Sequence, residues 1–302
     1  MRAPHVLQHT LSGPAIFAGV GVHTGERVRA AIRPAPAHSG IVFIRTDVTD
    51  RDNRVPVRAK AVQPTALNTE IANPAGVHVS TIEHLMAAFA ALSVDNAVVE
   101  LDGPELPIMD GSAAPFVALI DKAGRRVQDA PRRFIEILKP IEVVEGHKRA
   151  ALAPTTSAAP VLEVDYEIKF DSAAIGRQHL RLVVDETAFR TQLAAARTFG
   201  FTHEVEALRA RGLALGGSLD NAIVVEGDRV LNPDGLRFVD EFVRHKALDA
   251  IGDLYVLGAP VIGRFEGRYA GHGINNVLAR ALADRPDAWR VRTFAEELAE
   301  AG

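Results

Sequence analysis

The sequence has 302 residues, of which 47% are hydrophobic and 24% are charged, and its formal net charge is −4. This composition is typical of a soluble globular chain of one or two domains, and the near balance of acidic and basic residues argues against a nucleic-acid partner. The chain has no cysteine. Disulfides, thiolate nucleophiles and cysteine-ligated metals are therefore excluded, and any metal ion must be held by histidine and carboxylate groups.

The N-terminus has no apolar core of signal-peptide length, and apolar-leaning runs such as residues 85–92 are about ten residues or fewer. A helix that spans a bilayer needs roughly 20 apolar residues. We therefore expect a cytoplasmic protein without a transmembrane segment, which could still contact a membrane surface transiently to collect a substrate.

Short strands and turns are predicted for residues 5–47, where apolar residues alternate with arginines between glycine and proline punctuation. The glycines of residues 19–25 resemble a phosphate-binding loop, but no helix follows them, so a hairpin turn is the better interpretation. Residues 55–79 continue in short extended pieces.

Apolar spacing predicts the first helix at residues 80–92. Ser80 and Glu83 fit a capping box, which is a purely structural explanation of Glu83. His84 has an equally plain explanation as a hydrogen-bonded histidine near the start of a helix.

A strand is predicted at residues 96–101 and a second helix at residues 113–122, with Ser112 as a candidate N-cap. Residues 124–133 are charged and lack periodicity, and we interpret them as the interdomain linker.

Beyond this linker the pattern of the first half recurs. Gly25 opens a pattern that leads to His84 after 59 positions, and Gly146 opens a similar one that leads to His245 after 99. The second copy therefore carries about forty extra residues, which we place at 185–225. A duplicated α+β unit brings its two principal helices together, and this explains polar groups on otherwise buried helices.

The second principal helix is predicted at residues 238–257, with apolar positions that begin at Val239. His245, Asp249 and Asp253 follow one another at intervals of four and share one helix face. An imidazole and a carboxylate one turn apart can hold a divalent metal. The structural alternative is a solvated face with an ion pair.

His84 from one half, with His245 and Asp249 from the other, supplies two imidazoles and a carboxylate. This set leaves one coordination position for water, as in catalytic zinc sites, and Glu83 could act as the general base. His272 lies between two glycines, and we predict that it is exposed on a tight turn, where it is a candidate general acid.

Six strings then point to a family. They are Ser80-Thr-Ile-Glu-His-Leu85, Pro107-Ile-Met-Asp-Gly-Ser-Ala-Ala-Pro-Phe116, Ala196-Arg-Thr-Phe-Gly-Phe201, Leu236-Arg-Phe-Val-Asp-Glu-Phe-Val-Arg-His-Lys246, Leu248-Asp-Ala-Ile-Gly-Asp253 and Gly271-His-Gly-Ile-Asn-Asn276. Together they closely resemble the UDP-3-O-acyl-N-acetylglucosamine deacetylases, the zinc amidohydrolases of lipid A biosynthesis in Gram-negative bacteria. The likeness runs from about residue 5 to residue 295.

The resemblance implies one catalytic zinc ion, with Fe²⁺ as an alternative in the cell. Its ligands match His84, His245 and Asp249. Glu83 matches the general base that activates water, and His272 matches the acid that protonates the departing amine.

The resemblance also implies supporting roles. Asp253 matches the carboxylate that orients the acid, and Thr198 matches the hydroxyl that holds the oxyanion. Lys246, Phe199 and Leu67 are expected to contact the substrate, a UDP-linked acylated amino sugar.

The implied fold is α+β, with two similar domains, sheets outside, helices packed between them and an insert in each domain. We place the first domain at residues 1–126 and the second at 133–302, with the insert that receives the acyl chain at about 185–225. We expect a monomer.

Two positions depart from the family pattern. Asn68 stands where relatives often carry a thiol beside the metal, which should alter oxidation sensitivity and local substrate contacts. Gly273 stands where relatives can have alanine, which should loosen the turn after His272.

Two other interpretations fit some of the same residues. Two histidines and a carboxylate also form the facial triad of non-haem iron oxygenases, although those ligands commonly lie on strands of a β-barrel. A non-catalytic module that binds a metal or a nucleotide sugar would use Glu83 only as a helix cap.

Overall fold

The computed structural model describes residues 6–65, 67–157 and 159–294. The predicted domain boundaries at residues 1 and 302 lie outside these ranges. The α-helices are α1 (Glu83–Ala91), α2 (Ala114–Ala123), α3 (Glu186–Ala188), α4 (Thr202–Arg209), α5 (Glu241–Tyr255) and α6 (His272–Ala283), with a 3₁₀ turn at Ala59–Ala61 and a π-helical turn at Phe189–Leu193. The strands are β1 (Leu7–Leu11), β2 (Ala15–Val20), β3 (Arg27–Pro34), β4 (Ile41–Arg45), β5 (Arg54–Pro56), β6 (Ile71–Ala72), β7 (His78–Val79), β8 (Ala97–Leu101), β9 (Arg125–Pro131), β10 (Phe134–Ile137), β11 (Ile141–Glu145), β12 (Lys148–Ala153), β13 (Leu162–Lys169), β14 (Arg177–Val184), β15 (Phe199–Phe201), β16 (Ile223–Glu226), β17 (Arg229–Val230), β18 (Val261–Arg268) and β19 (Trp289–Arg292).

The two halves of the chain form sheets of the same topology. The first sheet has the order β2-β3-β8-β4-β5, in which only the β4–β8 pair is parallel. The second repeats this order as β11-β12-β18-β13-β14, in which only the corresponding β13–β18 pair is parallel, and β10 and β19 extend it. The predicted pair of similar α+β units is therefore confirmed.

Each unit places one helix before its central strand and one after it. Helix α1 precedes β8 and α2 follows it, while α5 precedes β18 and α6 follows it. Helices α1 and α5 pack against each other, α2 contacts β2 of the first sheet, and α5 and α6 contact strands of the second sheet. The predicted arrangement of helices packed between sheets is thus observed.

Helices α1 and α5 cross with their backbones in contact, and Gly252 makes this approach sterically feasible. A Cβ atom at Gly252 would lie 2.8 Å from the carbonyl carbon of Glu83 and 3.1 Å from the backbone nitrogen of Ala87. Glycine lacks this atom, so the helices can come closer than side chains normally allow. Gly252 lies between Asp249 and Asp253, so the crossing brings the polar face of α5 to the start of α1.

Most of the segment predicted to be the interdomain linker forms a strand. Residues 125–131 form β9, which pairs antiparallel with β1. Only Ala130 of this strand is buried, so its charged side chains face outward and no apolar alternation marks it. The division of the chain into two domains at this strand stays a prediction.

Helix starts differ from those predicted. Helix α1 begins at Glu83 and has Ile82 as its N-cap without a side-chain hydrogen bond, so the capping box of Ser80 and Glu83 is wrong. Helix α2 has Ala113 rather than Ser112 as its N-cap. Val239 precedes α5 and is 91% exposed, so it does not belong to the buried stripe.

The region predicted as an insert contains its own small sheet. Strand β15 pairs parallel with β16, and β16 pairs antiparallel with β17, so the sheet extends to Val230. In the part of the chain that the structure describes, no helix is both long and apolar enough to cross a bilayer.

Replacing Gly252 by alanine tests the close crossing. Alanine favours a helix over glycine by roughly 1 kcal/mol, but here the added methyl group meets the backbone of α1. We expect the free energy of unfolding, measured by urea denaturation, to fall by about 3 kcal/mol. In Gly13→Ala, the matched control, the nearest atom to the new Cβ is a carbonyl oxygen at 4.0 Å. Equal stability of both variants would contradict the crossing.

Candidate metal centre

His84, His245 and Asp249 meet where α1 crosses α5. Each is buried, and one ligand atom from each lies within 4.8 Å of the other two. The Nε2 atoms of His84 and His245 are 3.5 Å and 3.3 Å from Oδ1 of Asp249. That oxygen has no hydrogen-bond partner among the described residues. Two ring nitrogens and an unpartnered carboxylate oxygen that face one point fit a divalent metal ion.

The hydrogen bonds of His245 prepare it as a ligand. Its Nδ1 atom is 3.0 Å from the carbonyl oxygen of Ala196, which can only accept, so Nδ1 carries the proton and Nε2 offers its lone pair. Burial lowers the pKa of His245 to about 3. The imidazole is therefore neutral at physiological pH, as a metal ligand must be.

Asp249 is ionised although it is buried. Burial alone would raise its pKa, but the nearby cations, the Lys246 ammonium and protonated His272, help to hold the pKa of Asp249 well below its usual range. The ammonium group of Lys246 donates to Oδ2 of Asp249 over 2.9 Å. Lys246 is thus engaged with a candidate ligand, and its Nζ atom lies 5.8 Å from the centre of the Phe199 ring.

Glu83 is buried beside this group and is not a helix cap. Its Oε2 atom accepts the backbone N–H of Thr69 at 2.9 Å, and Oε1 lies 3.9 Å from Nε2 of His272. Burial raises the pKa of Glu83. A carboxylate with a raised pKa is a stronger base than a solvated one, as proton abstraction from water requires.

His272 is the first residue of α6, so the prediction that it is exposed on a tight turn is wrong. Gly271, its N-cap, has an extended backbone, and the His272 side chain is 7% exposed. Nδ1 lies 3.0 Å and 3.1 Å from the two carboxylate oxygens of Asp253. Burial lowers the pKa of His272, but Asp253, Asp249 and Glu83 outweigh it and raise the pKa to about 9. The imidazole is protonated at neutral pH.

Thr198 lies two residues after Ala196, whose carbonyl oxygen accepts from Nδ1 of His245. Its backbone donates to the carbonyl oxygen of Gly111, and its own carbonyl oxygen accepts from Ile223. Its hydroxyl forms no hydrogen bond with any described residue. The hydroxyl is therefore available to a substrate.

Phe199 and Leu67, which are also predicted to contact the substrate, lie in different surroundings. The ring of Phe199 packs edge-on against Phe242, at 4.9 Å, and lies 6.4 Å from the ring of His245. Leu67 is 44% exposed. Asn68, one of the two departures, is buried and donates to the hydroxyl of Thr81.

Sequence reasoning missed a further histidine. His23 lies in the hairpin turn between β2 and β3, and its Nδ1 atom is buried without a hydrogen-bond partner among the described residues. Burial lowers the pKa of His23; the charge of Glu105 opposes this effect, and the charge of His272 adds to it. The turn also contacts the insert, since Leu215 donates to the carbonyl oxygen of His23. The contact between this turn and the insert joins residues far apart in the sequence, so no local pattern predicts it.

Comparisons with known proteins agree on one family. The family model described as UDP-3-O-acyl N-acetylglycosamine deacetylase matches residues 8–284. A UDP-3-O-acyl-N-acetylglucosamine deacetylase of Phenylobacterium zucineum is 68% identical over 296 residues, which cover 98% of this chain and 100% of that protein. Proteins of the same name from Shewanella frigidimarina and Shewanella baltica are each 46% identical, over 97% of this chain and 94% of theirs.

Removing a candidate ligand should remove the metal. We expect His245→Ala, dialysed against zinc and then desalted, to retain less than a tenth of the zinc of the unaltered protein, because only two ligands remain. Atomic emission spectroscopy measures the zinc content. His179→Ala, at a half-exposed histidine that pairs with Asp165 on the outer sheet, is the control and should bind one equivalent. Full zinc content in His245→Ala would contradict the site.

Proposed function

The chain belongs to the UDP-3-O-acyl N-acetylglycosamine deacetylase family, and we propose that its candidate metal centre is the active site for this reaction. The enzyme is a hydrolase of lipid A biosynthesis that removes the N-acetyl group of UDP-3-O-acyl-N-acetylglucosamine. The products are acetate and UDP-3-O-acyl-glucosamine. The observation that carries the proposal is the meeting of His84, His245 and Asp249, beside Glu83 and His272, in one buried site.

The family is one of metalloenzymes, and we propose that this chain holds one zinc ion through His84, His245 and Asp249. Fe²⁺ is the alternative, since the same ligands suit both metals. When bound, the ion supplies Lewis-acid chemistry, in which it polarises a carbonyl group and makes water more acidic.

Glu83 is the proposed general base. It takes a proton from the water that attacks the acetyl carbon, and the hydrogen bond from the backbone of Thr69 to its Oε2 leaves Oε1 to face the site. Its raised pKa, caused by burial, matches this role.

His272 is the proposed general acid. As the carbon–nitrogen bond breaks, it gives the proton on Nε2 to the departing nitrogen, which leaves as the amino group of the sugar. Asp253 accepts from Nδ1 and orients the ring so that Nε2 points toward Glu83 and Asp249.

The remaining roles concern substrate binding. We assign the hydroxyl of Thr198 to the developing oxyanion, because Thr198 lies two residues after Ala196, which contacts His245, and because this hydroxyl is not engaged elsewhere. Phe199, Leu67 and Lys246 are assigned to substrate contacts. The domains at 1–126 and 133–302, an acyl-chain passage in the insert at 185–225, a monomeric state and a cytoplasmic location complete the proposal.

Glu83→Gln separates catalysis from binding. Glutamine keeps an oxygen that can accept from Thr69 but cannot take the proton of water. We expect kcat for acetate release to fall by about 100-fold or more, with unchanged zinc content and thermal unfolding. A non-catalytic binding module has no turnover to lose, so an inactive parent protein would overturn the function. Near-normal turnover in Glu83→Gln would overturn the role of Glu83.

The loss of the His272 proton should set the basic limb of the pH profile, which is the fall of kcat/KM at high pH. Its pKa is raised to about 9, so the active, protonated form persists at neutral pH and is lost as the pH rises through that value. A cation beside Asp249 offsets part of the carboxylate charge, so the limb of the metal-loaded enzyme lies at or below this pH. We expect Asp253→Asn to move the limb of kcat/KM to lower pH, since Asp253 raises the pKa most. An unmoved limb would contradict the assignment.

A further inference from the structure

We propose that Thr69 is a positioning residue that holds the general base and the partner of the general acid in a fixed relation. The inference rests on the proposed function, because it assumes the roles of Glu83, Asp253 and His272. Thr69 belongs to neither α1 nor α6, and no sequence motif marks it. It is 0% exposed, so it acts within the buried site rather than at its entrance.

Thr69 contacts both groups directly. Its backbone N–H donates to Oε2 of Glu83 over 2.9 Å. Its hydroxyl lies 2.6 Å from Oδ1 of Asp253 and accepts from Nδ2 of Asn276 over 2.9 Å. Its carbonyl oxygen accepts from the backbone of Ile82, just before α1. One residue thereby joins the start of α1 to α5 and α6.

The direction of these hydrogen bonds follows from the groups themselves. A carboxylate has no proton to give, so the hydroxyl of Thr69 must donate to Asp253. The hydroxyl can then only accept from Asn276, which must present its amino group rather than its oxygen. The hydrogen bonds therefore run in one direction: Asn276 donates to Thr69, and Thr69 donates to Asp253. The network admits no alternative arrangement of these donors.

Both oxygens of Asp253 are occupied as a result. Oδ1 accepts from Thr69, Oδ2 accepts from Asn275 over 2.9 Å, and Nδ1 of His272 lies within 3.1 Å of each. A carboxylate held on both sides cannot rotate freely, so the imidazole that it orients is also held. The two acid–base groups themselves do not hydrogen-bond, since Oε1 of Glu83 and Nε2 of His272 are 3.9 Å apart. Their spacing therefore depends on a third residue.

Thr69→Val tests the proposal, because valine has nearly the same shape but no hydroxyl. We expect kcat of the zinc-loaded full chain on UDP-3-O-acyl-N-acetylglucosamine to fall about 10- to 100-fold, as for the loss of a hydrogen bond to a charged group. KM and the zinc content should remain within about twofold of the parent values, since no substrate or metal contact is removed. Thr69→Ser, which keeps the hydroxyl, should restore kcat to within about threefold.

Two controls separate positioning from general destabilisation. Thr10 is also 0% exposed, and its hydroxyl also donates to one group and accepts from another, but these are backbone groups of Asn96 and Ala35. Thr10→Val should lower the thermal unfolding temperature and leave kcat unchanged. In an Asp253→Asn background, Thr69→Val should cost less than about threefold, because the residue acts through Asp253.

Each outcome decides the matter. The proposal is overturned if Thr69→Val keeps parental kcat, if Thr69→Ser is equally impaired, or if Thr69→Val loses its zinc or its cooperative unfolding. An additive loss in the Asp253→Asn background also overturns it. An inactive parent protein would instead refute the proposed function, so the two failures are distinguishable.

Discussion

The site depends on the contact between the backbones of two helices from different halves of the chain. His84 lies on α1, while His245 and Asp249 lie on α5, so the three candidate ligands come together only where these helices cross. Gly252 permits the approach because a side chain there would meet the backbone of α1. The duplication supplies the two helices at equivalent positions of similar sheets, and the missing side chain sets how close they come.

The second constraint on the site is the energetic cost of burying its charged groups. Three carboxylates, on Glu83, Asp249 and Asp253, are buried within one small region, and burying a charge is costly unless it is paired. Lys246 and protonated His272 pair with two of them, but Oδ1 of Asp249 has no hydrogen-bond partner among the described residues. A divalent cation held by this oxygen and the imidazoles of His84 and His245 would offset the excess negative charge. The electrostatics and the ligand geometry therefore favour the same occupant.

Much of this organisation could be predicted from the sequence, because helical periodicity places His245, Asp249 and Asp253 on one face and the repeat pairs two principal helices. Predictions from local sequence patterns were wrong where contacts between residues far apart in the sequence determine the structure. Glu83 fits a capping box, yet its carboxylate accepts from Thr69, 14 residues away. Glycines around His272 suggest a loose turn, yet it begins α6, buried against Asp253. Thr69 bears no motif of its own, and only the fold reveals what it contacts.

The most direct test measures acetate release from UDP-3-O-acyl-N-acetylglucosamine as a function of zinc bound to the purified full chain. Protein stripped by a chelator and dialysed should release no acetate above background. Activity should then rise in proportion to bound zinc and level off at one ion per chain. Full acetate release by the stripped protein, or a plateau that requires two or more ions, would contradict a reaction centred on His84, His245 and Asp249.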